Sequence, residues 1–132
     1  MKQNVYNHII PIIIGIFFCL FFVSCKQKTA EYRIGVSQCS DDNWRRKMNT
    51  EMQHETLLHS GVALEIKTVV DDTEKQIKDI QEFIDKKVDL IIVSPNKAAP
   101  VTPVVEKAYA AGIPVVLVDR KIMSDKYTAF IG

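Results

Sequence analysis

The sequence predicts an α/β fold: a doubly wound parallel sheet of strand order 2-1-3-4-5 with helices on its faces. Three observations carry this. After residue 32 the apolar periodicity switches repeatedly between strand-like and helix-like spacing, the pattern of strands joined by crossover helices. The strand-like runs at 33–37, 89–94 and 114–118 read as buried on both sides. The run at 62–70 instead alternates apolar and polar residues, so it reads as an edge, which is where the second strand lies in this order.

The elements follow in turn. Residues 33–37 (Arg-Ile-Gly-Val-Ser) form the first strand. Residues 43–60 form a helix with Trp44, Met48 and Met52 on one stripe and Leu57 and Leu58 near its end, stopped by Gly61. In the edge strand Val62, Leu64, Ile66 and Val70 lie on one side, Glu65 and Lys67 on the other. Asp72 or Thr73 caps the second helix, whose apolar face is Ile77, Ile80, Ile84 and Val88. The strand at 89–94 follows. Thr102 as N-cap and Pro103 in the first turn open a third helix with Val104, Val105, Ala108 and Ala111 as its apolar side; Gly112 ends it and Pro114 follows. Residues 114–118 are a buried strand and 127–131 a last short one.

Before this domain, at 33–132, lies a different kind of sequence. Residues 9–23 contain no charged side chain, and all 16 acidic residues come after residue 30. A short polar start carrying Lys2, an apolar run and Phe22-Val-Ser-Cys25 is the layout of a secretory signal peptide. The run is 15 residues, short of the roughly 20 that span a bilayer; an uncleaved anchor is the alternative, with Ser24 and Cys25 extending the span. The end of the run resembles a bacterial lipobox, with Phe22 and Val23 bulkier than usual. On that reading 1–24 is a lipoprotein-type signal peptide, Cys25 is acylated and anchors the chain in the membrane, and 25–32 is a linker. Cys19 leaves with the leader, and Cys39 alone stays in the folded part, as a small buried hydrophobe at a strand end.

Composition narrows the function. A chain that is 47% hydrophobic and 25% charged is neither disordered nor collagen-like. A net charge of +1 gives no basic surplus for nucleic acid. No CxxC or Cys/His cluster suggests a metal, and no cofactor is expected. In this strand order ligands bind beyond the carboxyl ends of the strands, here at the loops 38–43, 95–99 and 119–124. A dinucleotide site needs G-x-G-x-x-G after the first strand, but Gly35 is inside that strand and Gly61 is the next glycine. Asp41-Asp42 mimics the acidic pair of a phosphoacceptor receiver, yet Ser94-Pro95 stands where the phosphorylated aspartate would be. A small α/β enzyme using Cys39 as nucleophile is the alternative of another class; His54 and His59 are the bases available after the leader, and both fall on the polar side of the first helix, away from the strand ends.

What remains suits a small polyol. Asp119 and Arg120 leave a buried strand at the binding edge, where a carboxylate accepts from sugar hydroxyls and a guanidinium fork donates to them. Trp44 follows the first loop and can stack on the apolar face of a sugar ring, with Asp42 and Arg45 flanking it.

These residues resemble the first lobe of the ribose-type periplasmic binding proteins, the type I fold shared with LacI-type repressor cores. The likeness runs from Tyr32 to the end through Arg33-Ile-Gly-Val-Ser-Gln-Cys-Ser-Asp-Asp-Asn-Trp, Val88-Asp-Leu-Ile-Ile-Val-Ser-Pro, Ala111-Gly-Ile-Pro-Val-Val-Leu-Val-Asp-Arg and Tyr127-Thr-Ala-Phe-Ile-Gly. The opening is most similar to the sensor domains of hybrid two-component histidine kinases. The resemblance implies a binding domain and not an enzyme, a ribose-like monosaccharide as ligand, and sugar contacts from Asp119, Arg120, Asp42, Trp44 and Arg45. It also implies the periplasm of a Gram-negative-type bacterium, and a histidine kinase or an ABC permease as partner. Ribose transport members carry two aromatics where this chain has Trp44-Arg45, so a different or charged sugar is expected. No helix-turn-helix precedes the domain, which argues against a repressor. Family members clasp ligand between two lobes. A chain ending at Gly132 is therefore expected to be a truncated gene, a fragment or half of a split receptor, and to bind sugar weakly by itself.

Overall fold

A computed structural model of the protein describes residues 32–132. The leader, Cys25 and the linker up to residue 31 lie outside the described residues. The elements are β1 (Tyr32–Gln38), α1 (Asn43–Leu58), β2 (Val62–Thr68), α2 (Thr73–Asp85), β3 (Leu90–Val93), α3 (Ala98–Ala110), β4 (Val115–Val118) and β5 (Ala129–Ile131). They form one parallel sheet in the order β2-β1-β3-β4-β5, with β2 at an edge as expected. β1 opens one residue earlier than expected, because the Tyr32 N–H donates to the Gly61 carbonyl at 2.9 Å.

The register aligns Gly35, Ile91 and Val115 across three strands, and Ser37, Val93 and Leu117 above them. Side chains two apart share a face, and this face receives α2 and α3. Its core is fully dry: Ile80 and Phe83 from α2 and Val101, Val105 and Ala108 from α3 are inaccessible, as are Ile91, Val93, Val115 and Leu117 beneath them. Gly35 is needed here for close approach, since a Cβ on it would lie 2.6 Å from the Phe83 ring.

The opposite face differs. There α1 crosses the sheet with none of its own residues fully buried, and Ile34, Leu90, Ile92 and Val116 are only partly covered, although Val36, Gln38 and Val118 are buried. The expectation that β1, β3 and β4 are buried on both sides therefore holds on the α2–α3 face and, on the α1 face, at Val36, Gln38 and Val118 alone.

The helices carry two further corrections. In α1 the sheet-facing set is Arg45, Met48, Asn49 and Met52, all half-buried, and not Trp44, Met48 and Met52. Asp42 sets this phase as N-cap, its Oδ1 accepting the Arg45 N–H at 2.9 Å. α3 begins at Ala98 and not at Thr102-Pro103, which places Pro103 inside the helix. The missing N–H of Pro103 leaves one carbonyl of the preceding turn without its helical donor, and the buried stripe of Val101, Val104, Val105 and Ala108 outweighs that loss. Thr102 is no cap: its hydroxyl donates back to the Ala98 carbonyl at 2.8 Å and accepts the Met123 N–H at 2.9 Å. In α2, Asp72 caps as expected, through the Lys75 N–H at 2.8 Å, while Val88 is buried beyond the helix end.

Candidate ligand-binding site

The carboxyl ends of β1, β3 and β4 bring the loops after them to one edge of the sheet. Arg45, in the first turn of α1, reaches across this edge. Its Nη1 donates to Asp42 Oδ2 at 2.5 Å and its Nη2 to Asp119 Oδ2 at 2.6 Å, joining side chains 74 residues apart. Nε and Nη2 also approach the buried Ser94 hydroxyl at 3.4 and 3.2 Å. Burial works against the charged guanidinium, but its hydrogen bond to Asp42 and the fields of Cys39, Asp42 and Asp119 outweigh it and raise its pKa.

The two carboxylates play different parts. Asp42 is fully engaged: Oδ1 caps α1, and Oδ2 accepts from Ser40 at 2.5 Å as well as from Arg45. The Ser40 hydroxyl, then the backbone and side chain of Arg45, hold its carboxyl well below the usual range. Asp119 spends one oxygen on Arg45, and its side chain is 47% exposed. Its φ of +69° is a left-handed conformation that aspartate tolerates better than most residues. The Asp119 N–H donates to Ile131 at 2.9 Å and the Arg120 N–H to Val118 at 2.8 Å, so β5 helps to hold that turn. An unusual backbone held by its surroundings is characteristic of ligand sites.

Of the other expected site residues, Trp44 is 54% exposed at the rim, with the Arg45 guanidinium carbon 5.3 Å from its ring centre. It is therefore not core. Arg120 does not join the Arg45 cluster: its Nη1 donates to the Asn96 carbonyl. Ser94 and Asn96 were not among the sequence-predicted site residues. Their signal was the end of the strand at 89–94 and the loop at 95–99 after it, but short polar residues there carry no chemistry until the fold shows what they face.

The four charges here, on Asp42, Asp119, Arg45 and Arg120, balance, and Arg45 is not presented as an unmatched cation. Cys39 is buried, with Sγ 3.6 Å from Ser94 Oγ, while His54 on α1 and His59 just past its end are exposed and His59 pairs with Glu55. Among the described residues there is no cluster of three potential metal ligands, and no helix is long and apolar enough to cross a membrane.

An open edge of paired charges and hydroxyls thus lies at the carboxyl ends of parallel strands, where sheets of this order take their ligands. The chain belongs to the periplasmic binding protein domain family, which residues 34–132 match. It is 32% identical over 93 residues to the galactofuranose-binding protein YtfQ of Escherichia coli K12, covering 70% of this chain and 29% of that protein. It is 30% identical over 71 residues to the ribose import binding protein RbsB of Bacillus subtilis, covering 54% and 23%. Among solved structures, the fructose binding periplasmic domain of hybrid two component system BT1754 is 59% identical, with a TM-score of 0.75 over 76% of this chain and 34% of that one. A Bacillus halodurans ABC transporter solute binding protein with bound myo-inositol is 27% identical, with a TM-score of 0.72 over 81% and 38%. The chain thus spans between about a quarter and about two fifths of the length of these relatives. These relatives are named as binding proteins, which gives no support to the reading of Cys39 as an enzyme nucleophile.

Proposed function

We propose that the chain is the first sugar-binding lobe of an exported sensor protein, and that its ligand is a neutral sugar of the fructose kind. The observation that carries this is the Asp119 carboxylate, held at the end of β4 by Arg45 with one oxygen still open to hydroxyls. Asp119 accepts from the sugar, Arg120 donates to it, Arg45 keeps Asp119 aimed, and Trp44 offers a ring at the rim. Balanced charges favour a neutral ligand over an acidic one. The likeness to the BT1754 domain supports a sensor role, with a histidine kinase as partner across the membrane. The likeness to YtfQ and to the B. halodurans protein supports the second reading, a solute-binding protein that delivers to an ABC permease. In both, residues 1–24 direct export to the periplasm and Cys25 carries the lipid that holds the protein at the membrane.

Titration calorimetry with D-fructose, D-ribose and myo-inositol tests the ligand, on the protein alone and joined to the second lobe of the BT1754 domain. Weak fructose binding by the single lobe and much tighter binding by the two-lobed form is expected. Equal indifference of both forms to every sugar overturns the reading. Labelled palmitate should enter the protein and not its Cys25→Ser variant; label retained in the variant excludes acylation at that cysteine.

A further inference from the structure

The Gln76 side chain, on α2, is completely buried beneath the binding edge. Its Nε2 donates to the Ser94 carbonyl at 2.9 Å and to the Ser37 hydroxyl at 3.2 Å, and its Oε1 accepts the Asn96 N–H at 2.8 Å. One amide therefore serves the backbone on both sides of Pro95, which has no N–H of its own to contribute. The outward groups of this same three-residue turn are the acceptors of the two arginines: the Ser94 hydroxyl faces Arg45, and the Asn96 carbonyl takes the Arg120 guanidinium. Arg45 has Asp42 and Asp119 besides. For Arg120, the Asn96 carbonyl is its side-chain partner among the described residues.

We propose that Gln76 is a positioning residue for ligand recognition: by fixing the Ser94–Pro95–Asn96 turn from below, it aims Arg120 at the binding edge without touching ligand. The proposal rests on the sugar-binding reading for its affinity consequence alone; the aim of Arg120 is a property of the lobe itself. Its logic is preorganisation, since a side chain already ordered loses less freedom when ligand arrives. A buried glutamine whose donors and acceptor are all matched to loop backbone is rigid because leaving any of those groups unpaired is unfavourable.

NMR of the arginine side chains in the full protein tests this, with D-fructose titration beside it. In Gln76→Met, which keeps the shape and removes the amide, Arg120 should gain the mobility of a free side chain, while Arg45, still gripped by its two carboxylates, should not. Fructose affinity should fall about tenfold to a hundredfold. Arg120→Ala should weaken binding no further when Gln76→Met is already present. Arg120 remaining ordered in a folded Gln76→Met protein, or the two affinity losses simply adding, overturns the proposal. Should that variant fail to fold, Thr73→Val decides. It removes only the 2.8 Å bond from Asn96 Nδ2 to the Thr73 hydroxyl and leaves Gln76 in place. Arg120 should then stay ordered, and its release would show that Thr73 and not Gln76 orients the turn. A parent protein that takes up no fructose disproves the sugar reading, while the mobility of Arg120 still decides the role of Gln76.

Discussion

The two faces of the sheet are built differently. Under α2 and α3, Phe83, Ile80, Ile91 and Leu117 are wholly excluded from water. Under α1, Val36 and Gln38 are buried by half-buried polar and apolar helix residues together, with Gln38 Nε2 bonded to Asn49 Oδ1 at 2.7 Å and the Gln38 Oε1 left without a partner. The strands are shared, so the difference lies in the helices. α2 places Ile80, Phe83 and Ile84 on one stripe, whereas α1 turns Arg45 and Asn49 toward the sheet. Stability is concentrated on the first face. The second leaves its upper end to Arg45, the residue that joins the β1 and β4 loops. A dry face can be optimised for packing alone, while the α1 face keeps polar groups whose partners lie on other loops.

This contrast can be broken most strongly at Phe83. Phe83→Ala empties the space above Gly35 and should cost about 3–5 kcal/mol of a total of about 5–15 kcal/mol, measured by urea unfolding. A loss as small as that of a surface substitution would mean that the α2–α3 face is not the main core.

The second test moves to the binding edge. Asp119→Ala should weaken sugar binding by about 2–5 kcal/mol, because it strips a charged partner from ligand and Arg45 together. It should barely change stability, since exposed ion pairs contribute about 0–1 kcal/mol. Unchanged affinity for every sugar, read by calorimetry, removes Asp119 from the site.

A smaller effect is expected at Asp42, and it depends on pH. Its folded-state pKa is depressed, first by Ser40 and then by Arg45. Its ionised form therefore stabilises the fold above the ordinary carboxylate pKa of about 3.9. That contribution is lost as pH falls below this value toward the depressed one. Asp42→Asn keeps a good N-cap but cannot titrate, so its stability should decline less steeply than the parent's below about pH 4. Parallel acid limbs in the two proteins would assign the depressed pKa no part in folding. Glu82, lowered to about 2 by Lys67 and then by Lys86, gives a parallel acid-sensitive link between β2 and α2.

The smallest effect belongs to the outer end of α1. Leu57 and Leu58 are 83% and 77% exposed, so Leu57→Ser with Leu58→Gln should shift stability by no more than about 0.5 kcal/mol at each site. A large loss would show that these leucines are covered in the folded protein.

The alternation of apolar runs determined the order of the strands and the edge position of β2, because period-2 and period-3.6 burial are written locally and parallel connections allow few arrangements. The Asp119-Arg120 pair was visible for a related reason: charges that interrupt an apolar strand must leave the sheet at its end. The phase of α1 was not legible. Trp44, Met48 and Met52 form as good a stripe as Arg45, Met48, Asn49 and Met52, and the Asp42 cap together with the partners waiting for Arg45 chose between them. The start of α3 was misplaced because Thr-Pro is a strong local start signal, overridden by a buried stripe that extends one turn earlier. Gln76 was unreadable as anything but a helix residue. Its three partners come from β1 and from both sides of Pro95, and only tertiary structure brings those together. Local periodicity thus determined which segments form the sheet, whereas long-range pairing decided which polar side chains meet at its edge. A hydrogen bond between residues 74 apart in sequence, like that of Arg45 and Asp119, leaves no periodic trace.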